Sequence, residues 1–411
     1  MAKGLDIGTM YVVSSQNTDQ GTVFRKQRNA FYTMNREDFE DGFSCNSPMV
    51  IRKGSDVHIV GDDAVRYANL SGKSKKFKRP MAKGVLNPNE PDAIGVLQVI
   101  IQNVLGEPSY PGEIVAVTSP ADPLDGTFDT TFHRTVLSRH LKSLGYKAMV
   151  LNEAHALVYS ENPVCVSEGE EVPFSGIGIS FGAGMVNMVA TWRAQKLLEF
   201  SVSRGGDWID TRVHEATQIP VSRVLKFKEG KFQHSAQYTR DAEVKMSSAL
   251  EIYTEDLIRY VLESFVEKFE SCDASIDDPI EIVVAGGTSM VPGFIDLFAE
   301  IAGDVEMPFD ITAVRHAVSP LCAVTNGALI AASSREKKES QNNIPQQATD
   351  VKPAPAVTSP VSVAPVNEQT VAAAPQPVHV ATQVATPVAT PEVNSQVRRI
   401  AVASTPKRVE E

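Results

Sequence analysis

Val284-Ala285-Gly286-Gly287-Thr288-Ser289-Met290-Val291-Pro292-Gly293-Phe294 is the stretch on which the reading of this chain turns. The run before its double glycine, Ile280-Glu281-Ile282-Val283-Val284-Ala285, reads as a buried strand. Gly286 and Gly287 lack Cβ atoms, so the backbone there can lie flat against a purine and ribose. A helix begins after Pro292, a residue suited to a first helical turn. An amphipathic helix from about Val244 to Glu270 leads in, with Leu250, Leu257, Ile258, Val261, Leu262, Phe265 and Phe269 inward. Further upstream, Glu113–Thr118 reads as a strand. A helix follows, with Phe128, Phe132, Val136, Leu137, Leu141 and Leu144 on one stripe and Gly145 closing it. Ala148–Leu151 supplies the next strand. This alternation predicts an α/β architecture.

Two more small-residue turns follow apolar strands. In Gly4-Leu5-Asp6-Ile7-Gly8-Thr9-Met10, a carboxylate at a strand end suits the water shell of Mg²⁺, and the Gly-Thr turn lets backbone N–H groups approach phosphate oxygens. The same Asp-x-Gly spelling also makes ordinary hairpin turns. In Gly178-Ile179-Ser180-Phe181-Gly182-Ala183-Gly184-Met185-Val186-Asn187, Gly182 and Gly184 fit a tight hairpin. That hairpin could cradle a β- or γ-phosphate or simply join two strands without a ligand. Each turn alone is ambiguous, whereas the set in this order is not.

Together these residues resemble the actin/Hsp70/MreB ATPase superfamily. Leu5–Thr9 resembles its first phosphate motif, Ile179–Asn187 its second, and Ala285–Gly293 its adenosine motif. Leu151-Asn152-Glu153-Ala154-His155-Ala156 resembles the connecting helix. Ser201–Asp210, containing Gly205-Gly206-Asp207, resembles the segment after the second motif, and Ser319–Gly327 the closing connector. Val60-Gly61-Asp62-Asp63-Ala64 and Arg79–Val85 are similar to the bacterial MreB/MamK-like branch. The resemblance covers nearly all of residues 1–335. It implies an actin-like (ribonuclease H-like) two-domain ATPase fold with an interdomain nucleotide cleft. Domain I would span 1–175, with a small subdomain at about 30–80, and domain II 176–335, with one at about 210–245.

The resemblance also assigns roles. ATP or ADP would be held by Gly8, Thr9, Met10, Gly182, Ala183, Gly184, Gly205, Gly206, Asp207, Gly286, Gly287, Thr288 and Met290. A Lys/Glu pair bracketing adenine and ribose falls at Lys226 and Glu229, with Lys228 beside them; a solvated charged loop also explains this segment. Asp6 would serve Mg²⁺, Glu153 would position the attacking water, and Asn187 would help orient it. The second motif departs from the family, because Ser180 stands where it normally has aspartate. That exchange keeps a hydroxyl and loses a charge, so metal affinity or hydrolysis should be weakened. Met185 and Val186 replace small or hydroxylated residues that commonly face the phosphates.

After Ser334-Arg335-Glu336-Lys337-Lys338-Glu339 the sequence turns to Ala, Val, Pro, Thr and Gln, with ten prolines and no aromatic or glycine. Such a segment cannot offset its ordering entropy, so residues 336–411 read as a disordered tail. Near its end, Val397–Val402 reads as a short basic-apolar strand or helix able to dock, or as an unstructured terminus. The net charge of −11 lies wholly in residues 1–335 and is opposite to that of a phosphate-contacting duplex binder. The basic run Lys73–Arg79 reads as a solvated loop. No apolar run of about 18 residues predicts a transmembrane helix. No apolar leader precedes the first strand, and four scattered cysteines read as reduced cytosolic thiols, so a cytoplasmic location is expected.

By resemblance, then, the chain reads as an actin-like cytoskeletal protein that binds ATP and assembles with itself into filaments, with slow or impaired hydrolysis. A protein partner would be met through the tail. The competing readings are a non-hydrolysing actin-fold scaffold, which Ser180 favours, and an Hsp70-like chaperone ATPase. Against the last, the tail lacks the alternation and aromatics of a client-binding β-sandwich.

Overall fold

A computed structural model describes residues 1–42, 49–71, 77–272, 276, 278–342 and 399–400. Two main sheets repeat one plan. The first contains β1 (Lys3–Ile7), β2 (Tyr11–Thr18), β3 (Gly21–Arg28), β10 (Ile114–Ser119) and β11 (Lys147–Asn152), in the order β11-β10-β1-β2-β3. The second contains β14 (Gly176–Phe181), β15 (Val186–Trp192), β16 (Gln195–Val202), β17 (Ile280–Ala285), β18 (Ile311–His316) and β19 (Arg399–Ile400), in the order β16-β15-β14-β17-β18-β19. In each, an antiparallel meander starts the sheet and parallel strands extend it on the other side. β10 and β17 are buried along their whole length, which is why they read as continuous apolar runs rather than alternating ones.

A four-stranded sheet of β4 (Phe31–Asn35), β5 (Val50–Lys53), β6 (Asp56–Val60) and β7 (Phe77–Lys78) carries α1 (Arg36–Gly42) and α2 (Asp62–Ser71). Two small hairpins, β8 (Met81–Ala82) with β9 (Val85–Leu86) and β12 (Val164–Ser167) with β13 (Glu170–Pro173), complete the strands. The remaining helices are α3 (Ala93–Leu105), α4 (Thr131–Ser143), α5 (Glu153–Glu161), α6 (Gly206–Thr217), α7 (Val221–Gly230), α8 (Asp241–Glu270), α9 (Phe294–Asp304) and α10 (Ala323–Asn342).

Helices α5 and α10 link the two main sheets. Ala156, Leu157, Ala323 and Val324 pack with Val283 and Ala285 of the second sheet. Ala328 and Ala332, further along α10, pack with Ile114 and Ala116 of the first and with Ala2 just before it. Small side chains allow this approach. At Gly327 the backbones meet so closely that a methyl group would overlap the Ala156 carbonyl.

The helix predicted from Val244 forms as α8, and its apolar stripe is buried. The stripe expected after the 113–118 strand is corrected in part. Helix α4 starts at Thr131, leaving Phe128 outside, and Phe132 is 62% exposed. His133, Leu137 and Leu141 form the inward face instead. Burial pushes the His133 imidazole down to about 4, so the neutral ring packs like an apolar one.

The boundary read at residue 335 also moves, because α10 continues to Asn342. Its charged end is held by Lys147–Glu339 (2.7 Å) and Arg335–Glu339 (3.0 Å) ion pairs and by the Tyr110 hydroxyl donating to Glu336. The disorder expected of the tail concerns residues 343–398 and 401–411, outside the described residues. Arg399–Ile400 are a strand. Of the basic run, Lys73–Lys76 lie outside the described residues. Lys78 and Arg79 are half-buried and engaged rather than free in solvent: they pair with Glu90 (3.0 Å) and Asp207 (2.7 Å). Cys165, Cys272 and Cys322 are free thiols, and Cys45 lies outside the described residues. Among the described residues, no helix is long and apolar enough to cross a membrane.

Candidate functional site

The β1–β2 and β14–β15 turns face each other across a cleft. Gly8 N–H donates to the Tyr11 carbonyl (2.9 Å), and Gly182 N–H to that of Met185 (2.9 Å), closing two matching hairpins. The Gly84 amide donates to Thr9 Oγ1 (3.1 Å), bringing the β8–β9 hairpin over the first turn. The N-terminus of α6 docks behind the second turn, where Gly206 N–H and Asp207 N–H donate to the Gly182 (3.0 Å) and Ala183 (2.8 Å) carbonyls. Thr288 Oγ1 donates to the Gly182 carbonyl (2.9 Å), tying on the adenosine-like loop. Gly286, at φ 94°, turns there in the left-handed region that favours glycine, and any side chain would strike Phe181.

These turns enclose a cavity of about 460 Å³, within the range of small-molecule sites. Its lining includes Asp6, Gly8, Thr9, Met10, Glu153, Gly182, Ala183, Gly184, Asn187, Gly206, Asp207, Glu229, Gly286, Gly287, Thr288 and Met290. Three expectations are corrected. Lys226 does not line the cavity: it is on an exposed face of α7, while Lys228, half a turn on, lines it and pairs with buried Asp210 (2.7 Å). Gly205 lies behind the wall, where a side chain would collide with the Gly182 and Ala183 carbonyls. Val186 joins the core of the second sheet, and only Met185 reaches the cavity.

One end of the cavity is acidic. Thr118 Oγ1 donates to Asp6 (2.7 Å), so the strand beside β1 fixes that carboxylate. Asn152 caps α5, its Oδ1 accepting from Ala154 N–H (2.8 Å) and His155 N–H (3.2 Å), which puts Glu153 in the first turn. Asn187 Nδ2 donates to Glu153 (2.7 Å), and Ser201 Oγ donates to Asn187 Oδ1 (2.5 Å). The water-positioning pair implied by resemblance is therefore one hydrogen-bonded chain. Ser180, nearly fully buried, stands opposite Asn187 in the sheet and also lines the cavity.

Burial pushes the Asp6 carboxyl up to about 6, against the pull of the Thr118 hydroxyl and the Ile7 amide. Burial, and then the Asp6 charge, push Glu153 well above the ordinary carboxylate range. Neither carboxylate makes an ion pair among the described residues. This pair fits a small hard cation, whose charge would offset the desolvation of both. No group of three or more His, Cys, Asp or Glu able to hold a metal occurs among the described residues.

The shift carries a sign for stability. A carboxyl raised from about 4 to about 6 stabilises the fold while protonated and loses that contribution as pH rises through about 6. In the ligand-free protein, Asp6→Asn should therefore be more stabilising at pH 7.5 than at pH 4.5, by on the order of 2 kcal/mol. Paired thermal melts at the two pH values check this; an equal effect at both would show that Asp6 is not held near 6.

The structure brings to the site further groups to which the sequence assigned no role there. Arg79 Nη1 reaches both Asp207 oxygens (2.8 and 2.7 Å), so the expected nucleotide contact is engaged by a clasp across the cleft. Lys26 comes from β3 and stands over the Tyr11 ring (4.6 Å), and both line the cavity. Phe232 and Gln233 follow α7.

Residues 1–332 match the model of the Volactin family. The chain belongs to that family. No curated protein matches it. Among solved structures, this chain is similar to the MamK double helical filament, at 17% identity over 80% of this chain and 98% of that one, with a TM-score of 0.57. It is also similar to MreB5 of Spiroplasma citri bound to AMPPNP (14% identity, 83% and 98% covered, TM-score 0.55). The ADP-bound MreB5 gives 16%, 82% and 98%, and 0.53. At these identities the likeness is one of fold, and the fold of this chain is the actin-like α/β one.

Proposed function

We propose that this chain is an actin-like cytoskeletal ATPase that binds ATP·Mg²⁺ in the cleft and assembles with itself as a function of nucleotide state. The single observation that carries the reading is the joining, in one cavity, of three glycine-rich turns and the half-buried Asp6–Glu153 pair. Two solved relatives of the same fold are described as bound to AMPPNP and to ADP, and another as a double helical filament, which supports the reading.

In this account the turn amides of Thr9, Met10, Ala183 and Gly184, left over once Gly8 and Gly182 have closed their hairpins, donate to phosphate oxygens. The Gly286-Gly287 backbone lies against the nucleoside. Mg²⁺, when bound, offsets charge between the phosphates and Asp6. Glu153, held by Asn187, accepts a hydrogen bond from the attacking water and orients it in line with the γ-phosphate. Domain I (1–175) and domain II (176–335) would be the two bodies that a nucleotide draws together. Pelleting with ATP, ADP or no nucleotide tests assembly, and a monomer under all three conditions removes the filament part.

Ser180 favours a second reading, a nucleotide-bound scaffold that does not turn over. Supplying the absent carboxylate separates the two. Ser180→Asp should raise phosphate release on the order of tenfold or more, the worth of one charge-assisted contact to the metal's water shell. Steady-state phosphate release checks this, and an unchanged rate with ATP still bound favours the scaffold.

A further inference from the structure

Strand β19 is out of place for a tail. Arg399 and Ile400 pair antiparallel with β18, Ile400 opposite Val314 and Arg399 opposite Arg315, and also lie against α9. Without them β18 would be the free edge of an otherwise parallel run, offering unpaired N–H and C=O groups to any extended chain. Charge does not oppose the pairing: Arg315, opposite Arg399, is already offset by Glu161 (2.8 Å) and Glu281 (3.0 Å). Glu300, Asp304, Glu306 and Asp310, on α9 and the connection into β18, are exposed. From Val397 to Arg408 the sequence carries Arg398, Arg399, Lys407 and Arg408 and no acidic residue. Residues 343–398 connect the end of α10 to β19, with a contour on the order of 180 Å at about 3.3 Å per residue, ample to reach β18 of the same chain.

We infer that the β18 edge is a strand-acceptor site for the segment around Arg399–Ile400 of the same chain, and that this segment is a removable cap on the second sheet. Removability follows from size: two registered pairs must hold closed a long connection whose closure entropy opposes them. Released, the basic segment and the β18 edge both become able to pair elsewhere. The inference rests on strand pairing and charge, and is independent of nucleotide binding.

The test uses the full chain without nucleotide. Amide hydrogen exchange across Ile311–His316 is compared between wild type and Ile400→Pro, which removes a backbone donor from the cap. Exchange of outward-facing β18 amides should rise on the order of tenfold, with β17 unchanged. A peptide of residues 395–405 should restore protection, and less well at high salt. Wild-type protection should be the same at low and high protein concentration. Ile400→Pro should also self-associate more readily in sedimentation. Unaltered β18 exchange in Ile400→Pro would overturn the acceptor site. Protection that rises with concentration would overturn the same-chain assignment, and unchanged self-association would overturn the capping role.

Discussion

Glu153→Gln should lower phosphate release by about 10²–10³-fold while leaving ATP binding close to wild type. The substitution keeps the shape, and Asn187 Nδ2 can still donate to the new side-chain oxygen, so the wall of the cavity is preserved. What it removes is the anionic acceptor that orients water. Burial and the Asp6 charge hold Glu153 well above the ordinary carboxylate range in the empty cleft, so its anionic form depends on a cation beside it. The variant should therefore behave as a nucleotide-retaining, turnover-deficient form. Single-turnover phosphate release, run alongside nucleotide binding, is the check. Equal loss of binding and turnover would place Glu153 in the architecture rather than the chemistry.

Gly327→Ala should be the most damaging small change outside the cleft. A Cβ at that position overlaps the Ala156 carbonyl, which is backbone and has no rotamer to move to. The α5–α10 crossing must open, disturbing the packing of Ala323 and Val324 on one sheet and Ala328 and Ala332 on the other. The expected loss is about 3 kcal/mol, at the upper end for overpacking in a core, which lowers Tm by roughly 6 °C or more. Thermal unfolding measures it. A Tm within a degree of wild type would mean that the crossing is looser than the distances say. Ala328→Gly, which removes one methyl from the same helix without overlap, serves as the milder control.

The site was legible in the sequence where its chemistry is local. The turns at Gly8, Gly182 and Gly286 show as glycines directly after apolar strands, because a Cβ at each would meet backbone carbonyl oxygens of the turns at or below 3 Å. Their union could be read from their order. The Arg79–Asp207 pairing could not, since it joins the β7–β8 connection to the first turn of α6, more than a hundred residues away, and neither motif names the other as its partner. Lys226 and Lys228 lie half a helical turn apart, so only the phase of α7 tells which one faces inward. Phe132 misled for the opposite reason: a large aromatic residue fitted the stripe, while His133 took the inward place by shedding its charge. The β19 contact is two residues long, below the length at which alternation carries information.

The central claim is that the cavity between the two hairpin turns holds ATP with a hard cation. Calorimetric titration of ATP into the purified chain, with and without Mg²⁺, tests it most directly. The account predicts one site per chain, tighter with Mg²⁺, and a Mg²⁺ dependence that Asp6→Asn abolishes while weaker nucleotide binding persists. No heat of binding from the wild-type chain under either condition would contradict it.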